Sequence, residues 1–166
     1  MLIDNWRFNC AVLSDLLLLS LIVLIAIFLL SADLFANDVL IVQRRDGVAV
    51  RFEVEHARDA TTHRKGLMER EHLARRSGMF FDFHRTQRIR MWMKNTLIPL
   101  DILFVAESGA IVYIARNTTS LSLDFIGAPE PVRYVLEINA GETQELGITL
   151  GDRVLLDTAL SGQHYR

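Results

Sequence analysis

Fifteen residues near the start of the chain, Leu16 to Leu30, carry a single polar side chain, Ser20. That run divides the 166-residue sequence in two. Small residues follow it at Ser31, Ala32 and Ala36. An apolar run with small residues behind it reads as a secretory signal. Two details pull toward an uncleaved segment. The stretch before the run carries Asp4, Arg7 and Asp15 in place of a positive cluster, and Leu34 sits where a smaller residue is usual before cleavage at Ala36. Extended to Ala32, the run reaches about the lower length limit of a membrane span. Residues 1–36 are therefore expected to be a signal peptide or an N-terminal membrane anchor, with a buried core helix as the remaining option. On the first two readings the rest of the chain is periplasmic or secreted, and it meets the membrane only through residues 16–32.

What remains is one domain's worth of chain, residues 37–160, with a loose tail at 161–166. Cys10 is the only cysteine and precedes the apolar run, so the domain has no disulfide, thiolate metal site or cysteine nucleophile. Its charge is unevenly spread. Residues 37–94 hold 13 Lys/Arg against 8 Asp/Glu, a balance of +5, and residues 95–166 hold 4 against 9, a balance of −5. The two halves can neutralise each other across a fold, or the basic half can face an anionic partner. Nucleic acid is not the expected partner, because no dense basic run with interleaved aromatics is present.

The domain is punctuated by turn signals every ten residues or so. Val39–Gln43 and the alternating Val48–Glu55 flank Asp46-Gly47, a hairpin signature. Asp59 caps a short helix toward Met68, and Gly66 marks its stop. Further strands are expected around Met79–Phe83, Ile89–Met93, Ile102–Ala106, Ala110–Ala115, Val132–Ile138 and Arg153–Asp157, with a turn or one helical turn between Gly141 and Gly147. The expected fold is mainly β, α+β at the margin: a compact curved sheet or small barrel with one short helix and no βαβ rhythm. Met68, Met79, Phe81 and Leu136 are expected in one core.

The residues with chemistry cluster in Trp92-Met93-Lys94-Asn95-Thr96, followed by Asp101 after a rigid Ile-Pro-Leu. Lys94 supplies a positive point charge, and Asn95 offers donor and acceptor. Arg64 and Arg70 can add a forked anion clamp, and Glu137 a further acid. Such a set can hold a carboxylate or phosphate over an apolar floor of Met and Phe. In the purely structural alternative Lys94 pairs with Asp101 or Glu137, while Asn95 and Thr96 satisfy backbone groups in the turn before Pro99. Met91 and Met93 share a face, and thioethers suit Cu(I). His56, His63, His72 and His84 lack ligand spacing. No serine elbow, P-loop or His-Glu-x-x-His is present, so an enzyme reading rests on Lys94 with Asp101 or Glu137 as an acid–base pair. No cofactor is implied.

Five blocks in this order resemble the bacterial and archaeal DUF192 family, a domain of unknown function, from about Val48 to Leu156. They are Arg64, Gly66-Leu67-Met68 and Arg70; Gly78-Met79 with Phe81; Trp92 to Thr96 with Ile98 to Asp101; Val135-Leu136-Glu137 with Ala140-Gly141; and Gly151-Asp152. The resemblance implies a compact, mainly β fold and no established activity. The chain departs from the family in having Phe80 where a leucine is frequent, and in lacking a proline in the loop Thr118–Ser122.

The expectation for function is a non-catalytic binding module of the cell envelope for a small anionic molecule or peptide, with the hydrolase or lyase and the Cu(I)-binding protein as alternatives. A chain shortened to begin at Asn37 is expected to be soluble and folded, as read by circular dichroism and gel filtration. Aggregation or loss of structure would place the apolar run in the core.

Overall fold

The computed structural model describes residues 38–156. The expected signal or anchor and the 161–166 tail lie outside the described residues. Seven strands form one sheet: β1 (Asp38–Gln43), β2 (Ala49–Ala57), β3 (Ser77–Gln87), β4 (Leu100–Val105), β5 (Ile111–Ala115), β6 (Val132–Asn139) and β7 (Arg153–Leu155). Their order across the sheet is β5-β4-β6-β3-β2-β1-β7. Among the described residues two short helices are present, α1 (Ala60–Lys65) and α2 (Glu142–Glu145), the second being the helical turn expected between Gly141 and Gly147.

The hairpin forms as the sequence indicates, with β1 and β2 antiparallel from Asp38↔Val54 to Gln43↔Ala49. The 44–48 turn is closed by Arg44 N donating to the Val48 carbonyl at 2.8 Å. Val50, Phe52 and Val54 are buried on one face of β2, as their alternation requires. β2 and β3 then pair in parallel, Glu53↔Ser77 to Ala57↔Phe81. A parallel pair needs a crossover, and residues 58–76 supply it with α1 inside. This is one β-α-β step that the sequence reading did not include. The pattern is hard to see because α1 is six residues long and buries none of them.

The sheet curls into a half-barrel. Val154 N donates to the Gly109 carbonyl, and Ile111 N to the Asp152 carbonyl, each at 2.8 Å. These bonds tie β7, last in the sheet order, to the residues entering β5, the first. Edge groups that a flat sheet would leave unpaired are thus satisfied.

The core is two clusters, which corrects the single core expected. The first draws on all seven strands, with Phe52, Phe80, Leu103, Ile114, Tyr134, Leu136 and Val154, and fills the curl. The second lies on the opposite face of the central strands and contains Met79, Phe81, Ile102, Phe104 and Val135. Non-strand chain covers it through Leu67, Ile89, Met91 and Met93. Met79 and Phe81 therefore face away from Leu136, and Met68 is only half-buried. Every residue of β4 is buried, as expected for a strand enclosed on both sides. At Gly78 the packing is so close that a Cβ would lie 2.4 Å from the Glu137 carbonyl oxygen, so only glycine fits. The expected strand at Ile89–Met93 is a single bridge, Met91↔Ile126, within the cover.

Phe81 is fully enclosed in the second cluster. Phe81→Ala is expected to cost about 3–5 kcal/mol of stability, measured by urea denaturation. A loss below about 0.5 kcal/mol would match a surface position instead.

Candidate functional site

The cover over the second cluster is assembled from two segments that meet at one point. The first begins with α1. Asp59 caps it, accepting hydrogen bonds from Thr61 N and Thr62 N, while Thr62 Oγ1 accepts from Asp59 N. His63, Arg64 and Lys65 fill the last turn, where the helix dipole favours cations. Gly66 ends the helix at φ 47° and ψ −135°, backbone angles open essentially to glycine alone. The chain beyond is held by Arg70, whose guanidinium donates to both oxygens of Glu55 at 2.5 and 2.6 Å. Asn139 Nδ2 fixes its far end by donating to the Leu73 and Ala74 carbonyls.

The second segment is Met91–Thr96. Met91 N and Ile126 N exchange hydrogen bonds with each other's carbonyls, and Met93 N donates to the Ser122 carbonyl. The alternation of side chains runs through Met91, Trp92, Met93 and Lys94 and breaks at Asn95, which has φ 55°. The Asn95 carbonyl accepts from Glu69 N at 2.8 Å. That bond joins the two segments.

Between them lies a narrow cleft of only about 20 Å³, room for about one water. Its walls include Arg64, Lys65, Gly66, Trp92 and Thr96, with Phe81 and Met91 beneath. Glu137 also lines it. This residue sits in the middle of β6, paired with Met79 of β3 and Ile102 of β4, and is 4% exposed. Its carboxyl has no hydrogen-bond or ion-pair partner among the described residues, and a Cβ on Gly66 would stand 3.8 Å from Glu137 Oε2. Burial away from water pushes the Glu137 carboxyl from its ordinary 4.5 up to about 8. At neutral pH Glu137 is thus a neutral acid with a proton to donate.

The expected site residues divide. Arg64, Trp92, Thr96 and Glu137 come together in the cleft. Lys94 does not line it; the residue is exposed, with Nζ 5.1 Å from the centre of the Trp92 ring. Asn95 contributes its backbone turn. Thr96 closes that turn, its N–H donating to the Met93 carbonyl and its hydroxyl to the Lys94 carbonyl. Arg70 belongs to the Glu55 pair. Met93 is fully buried, and its sulfur accepts from Thr118 Oγ1 at 3.2 Å. Asp101 is buried in β4 and accepts from Asn117 N, Thr143 N and Thr143 Oγ1, pinning the chain after β5 and the start of α2 to the sheet. Neither Asp101 nor Glu137 pairs with Lys94. Lys65 and Gly66 were missing from the candidate set. The signal for them was at hand, a run of three basic-capable residues at the end of a helix followed by a glycine.

A larger hollow, about 430 Å³, lies beside the 44–48 turn and is lined by Arg44, Arg45 and Asp152 among others. Its polar groups already serve one another. Arg44 pairs with Asp46 and donates to the Leu146 carbonyl, while Asp152 accepts from Arg45 N and Thr149 N. Among the described residues no group of three or more His, Cys, Asp or Glu could hold a metal ion.

The family model DUF192, described as "Uncharacterized ACR", matches residues 41–156. The chain belongs to the DUF192 family. Two solved structures are similar to this DUF192 domain. One, from Sinorhizobium meliloti 1021 and described as a "putative transcription regulator", is 42% identical, with 72% of this chain and 93% of that chain covered and a TM-score of 0.70. The other is a protein of unknown function from Novosphingobium aromaticivorans DSM 12444, 37% identical, covering 70% of this chain and 82% of that one at a TM-score of 0.67. No curated protein matches this DUF192 chain.

The raised affinity of Glu137 for its proton fixes a pH dependence of stability. Between pH 4.5 and about 8 the unfolded chain has lost a proton that the folded protein keeps. Stability contributed by the neutral form is therefore lost as pH rises through that window. Glu137→Gln is expected to melt close to the parent at pH 5 and several degrees above it at pH 9, each kcal/mol being worth about 4–8 °C in a domain near this size. Parallel melting curves across that range would show that Glu137 ionises normally.

Proposed function

We propose that this protein is a non-catalytic binding module of the cell envelope that takes the carboxylate or phosphate end of a small anionic molecule. One observation carries the reading: a buried carboxyl without a partner, Glu137, at the base of a cleft with Arg64 and Lys65 in its walls. A neutral acid there donates a hydrogen bond to an anionic oxygen, and the cations supply long-range attraction. Neither the Arg64 nor the Lys65 side chain has a hydrogen bond or ion pair among the described residues, so a ligand need not break one to use them. The cleft admits little more than one water, which suits the tip of a ligand whose body rests on the exposed Trp92. Placement in the envelope is supported by the apolar run Leu16–Leu30.

The hydrolase or lyase reading needs a lysine with its pKa lowered by burial and a carboxylate within reach. Lys94 is exposed and stacks on Trp92, an arrangement that favours binding over acid–base chemistry.

Thermal-shift titration of the full chain with inorganic phosphate, short mono- and dicarboxylates and phosphate monoesters tests the proposal. A ligand at 100 times its Kd adds about 2.7 kcal/mol of apparent stability. The shift is expected at pH 6, to fade as pH rises through about 8, where Glu137 loses its proton, and to shrink in Lys94→Met with the melting temperature retained. A shift that Lys94→Met leaves unaltered, beside a large fall in melting temperature, would remove Lys94 from the site. Absence of any anion-induced shift would remove the proposal.

A further inference from the structure

The loops that cover the second core cluster expose an apolar surface beyond the cleft. Segments 91–97 and 121–126 run side by side, joined by the Met91–Ile126 bridge, by Met93 N to the Ser122 carbonyl and by Leu121 N to the Thr96 carbonyl. Their inward residues Met91 and Met93 are buried. Their outward residues are large and apolar: Trp92 and Leu97 are 40% and 47% exposed, Leu121 56%, Leu123 66% and Phe125 64%. Trp92 and Phe125 stack with ring centres 6.0 Å apart. A cation lies over each ring, Lys94 over Trp92 at 5.1 Å and Arg90 over Phe125 at 5.6 Å. One acid, Asp124, shares the strip and is bonded to the hydroxyl of Ser122. Isolated exposed hydrophobes need no explanation, but five on two adjoining loops do.

We infer that this strip docks on an anionic membrane surface, Leu121, Leu123 and Phe125 entering the headgroup boundary while Arg90 and Lys94 meet lipid phosphates. Aromatic rings flanked by cations and backed by leucines are the composition that settles at the water–lipid boundary. Basic side chains beside it gain from the negative surface potential of anionic lipid. On the anchor reading of Leu16–Leu30, the same chain would already be held at a bilayer. The apolar contacts, Leu121, Leu123 and Phe125, do not line the cleft, whereas Trp92 and Lys94 are shared with the proposed anion site.

The test uses the full chain with Trp6→Phe, which leaves Trp92 as the only tryptophan. Its fluorescence is read in detergent, in phosphatidylcholine vesicles, and in vesicles containing about one-third phosphatidylglycerol, each vesicle type carrying bromine near the headgroup end of the acyl chains. In the anionic vesicles Trp92 emission is expected to shift to the blue and to be quenched by bromine at least about twofold more than in the neutral ones. Leu123→Ser with Phe125→Ser should abolish that difference, and Arg90→Gln should reduce it. Trp92 remaining as open to aqueous iodide in anionic vesicles as in detergent would overturn the inference. So would shielding already complete in detergent. A doubled molecular size would then assign the strip to a second copy of the chain, and an unchanged size to one of its own terminal segments.

Discussion

The outer face of β3, β4 and β6 has to be covered, and among the described residues neither a second sheet nor a long helix is there to do it. The curl encloses only one face of those strands. Met79, Phe81, Ile102, Phe104 and Val135 project from the other. Leaving so many large side chains wet would cost roughly 1.5–3 kcal/mol apiece, a total no small domain can carry. Irregular chain does the covering, from α1 through Leu73 and from Ile89 through Ala128. Irregular chain cannot bond to itself as a helix or sheet does, so it is fastened by particular bonds: Arg70 to Glu55, Asn139 to Leu73 and Ala74, Glu69 N to the Asn95 carbonyl, and Thr118 to Leu100 and Met93.

That manner of covering explains both features with functional content. Where the two cover segments meet they do not quite seal, and the gap falls over Glu137. A carboxyl in a central strand between Met79 and Ile102 is costly unless something compensates it. Here the compensation is the proton it retains to about pH 8, which leaves a donor aimed at the gap. Where the cover runs past the edge of the core, its outward side chains have nothing to pack on, and Leu121, Leu123 and Phe125 reach solvent. Trp92 belongs to both regions, lining the cleft and stacking on Phe125.

Asp101 and Glu137 show how differently two buried acids of one sheet can be used. Both lie on central strands and both are almost wholly enclosed. Asp101 is saturated by two backbone N–H groups and a hydroxyl, and so fastens two loops. Glu137 faces the apolar cluster and the cleft, where no donor is supplied. Residue type did not separate them, since each was an acid beside an apolar run. The surroundings of each oxygen did.

Local pattern determined much of the architecture. The alternation in β2, the Asp46-Gly47 turn, and the Asp59 cap with its Gly66 stop are properties of neighbouring residues, and they needed no partner to be read. The family blocks likewise contain Arg64, Trp92, Thr96 and Glu137, which the fold brings together in the cleft. What the sequence could not determine was which face each strand would bury and against what. Phe81 and Leu136 look equally like core, yet they point into different clusters because β3 and β6 are covered on both sides. The parallel pairing of β2 with β3, the pairing of Arg70 with Glu55, and the isolation of Glu137 all depend on segments fifteen or more residues apart in sequence. Period-two alternation specifies that a side chain changes face, not what awaits it there, and that is settled only when the whole chain has folded.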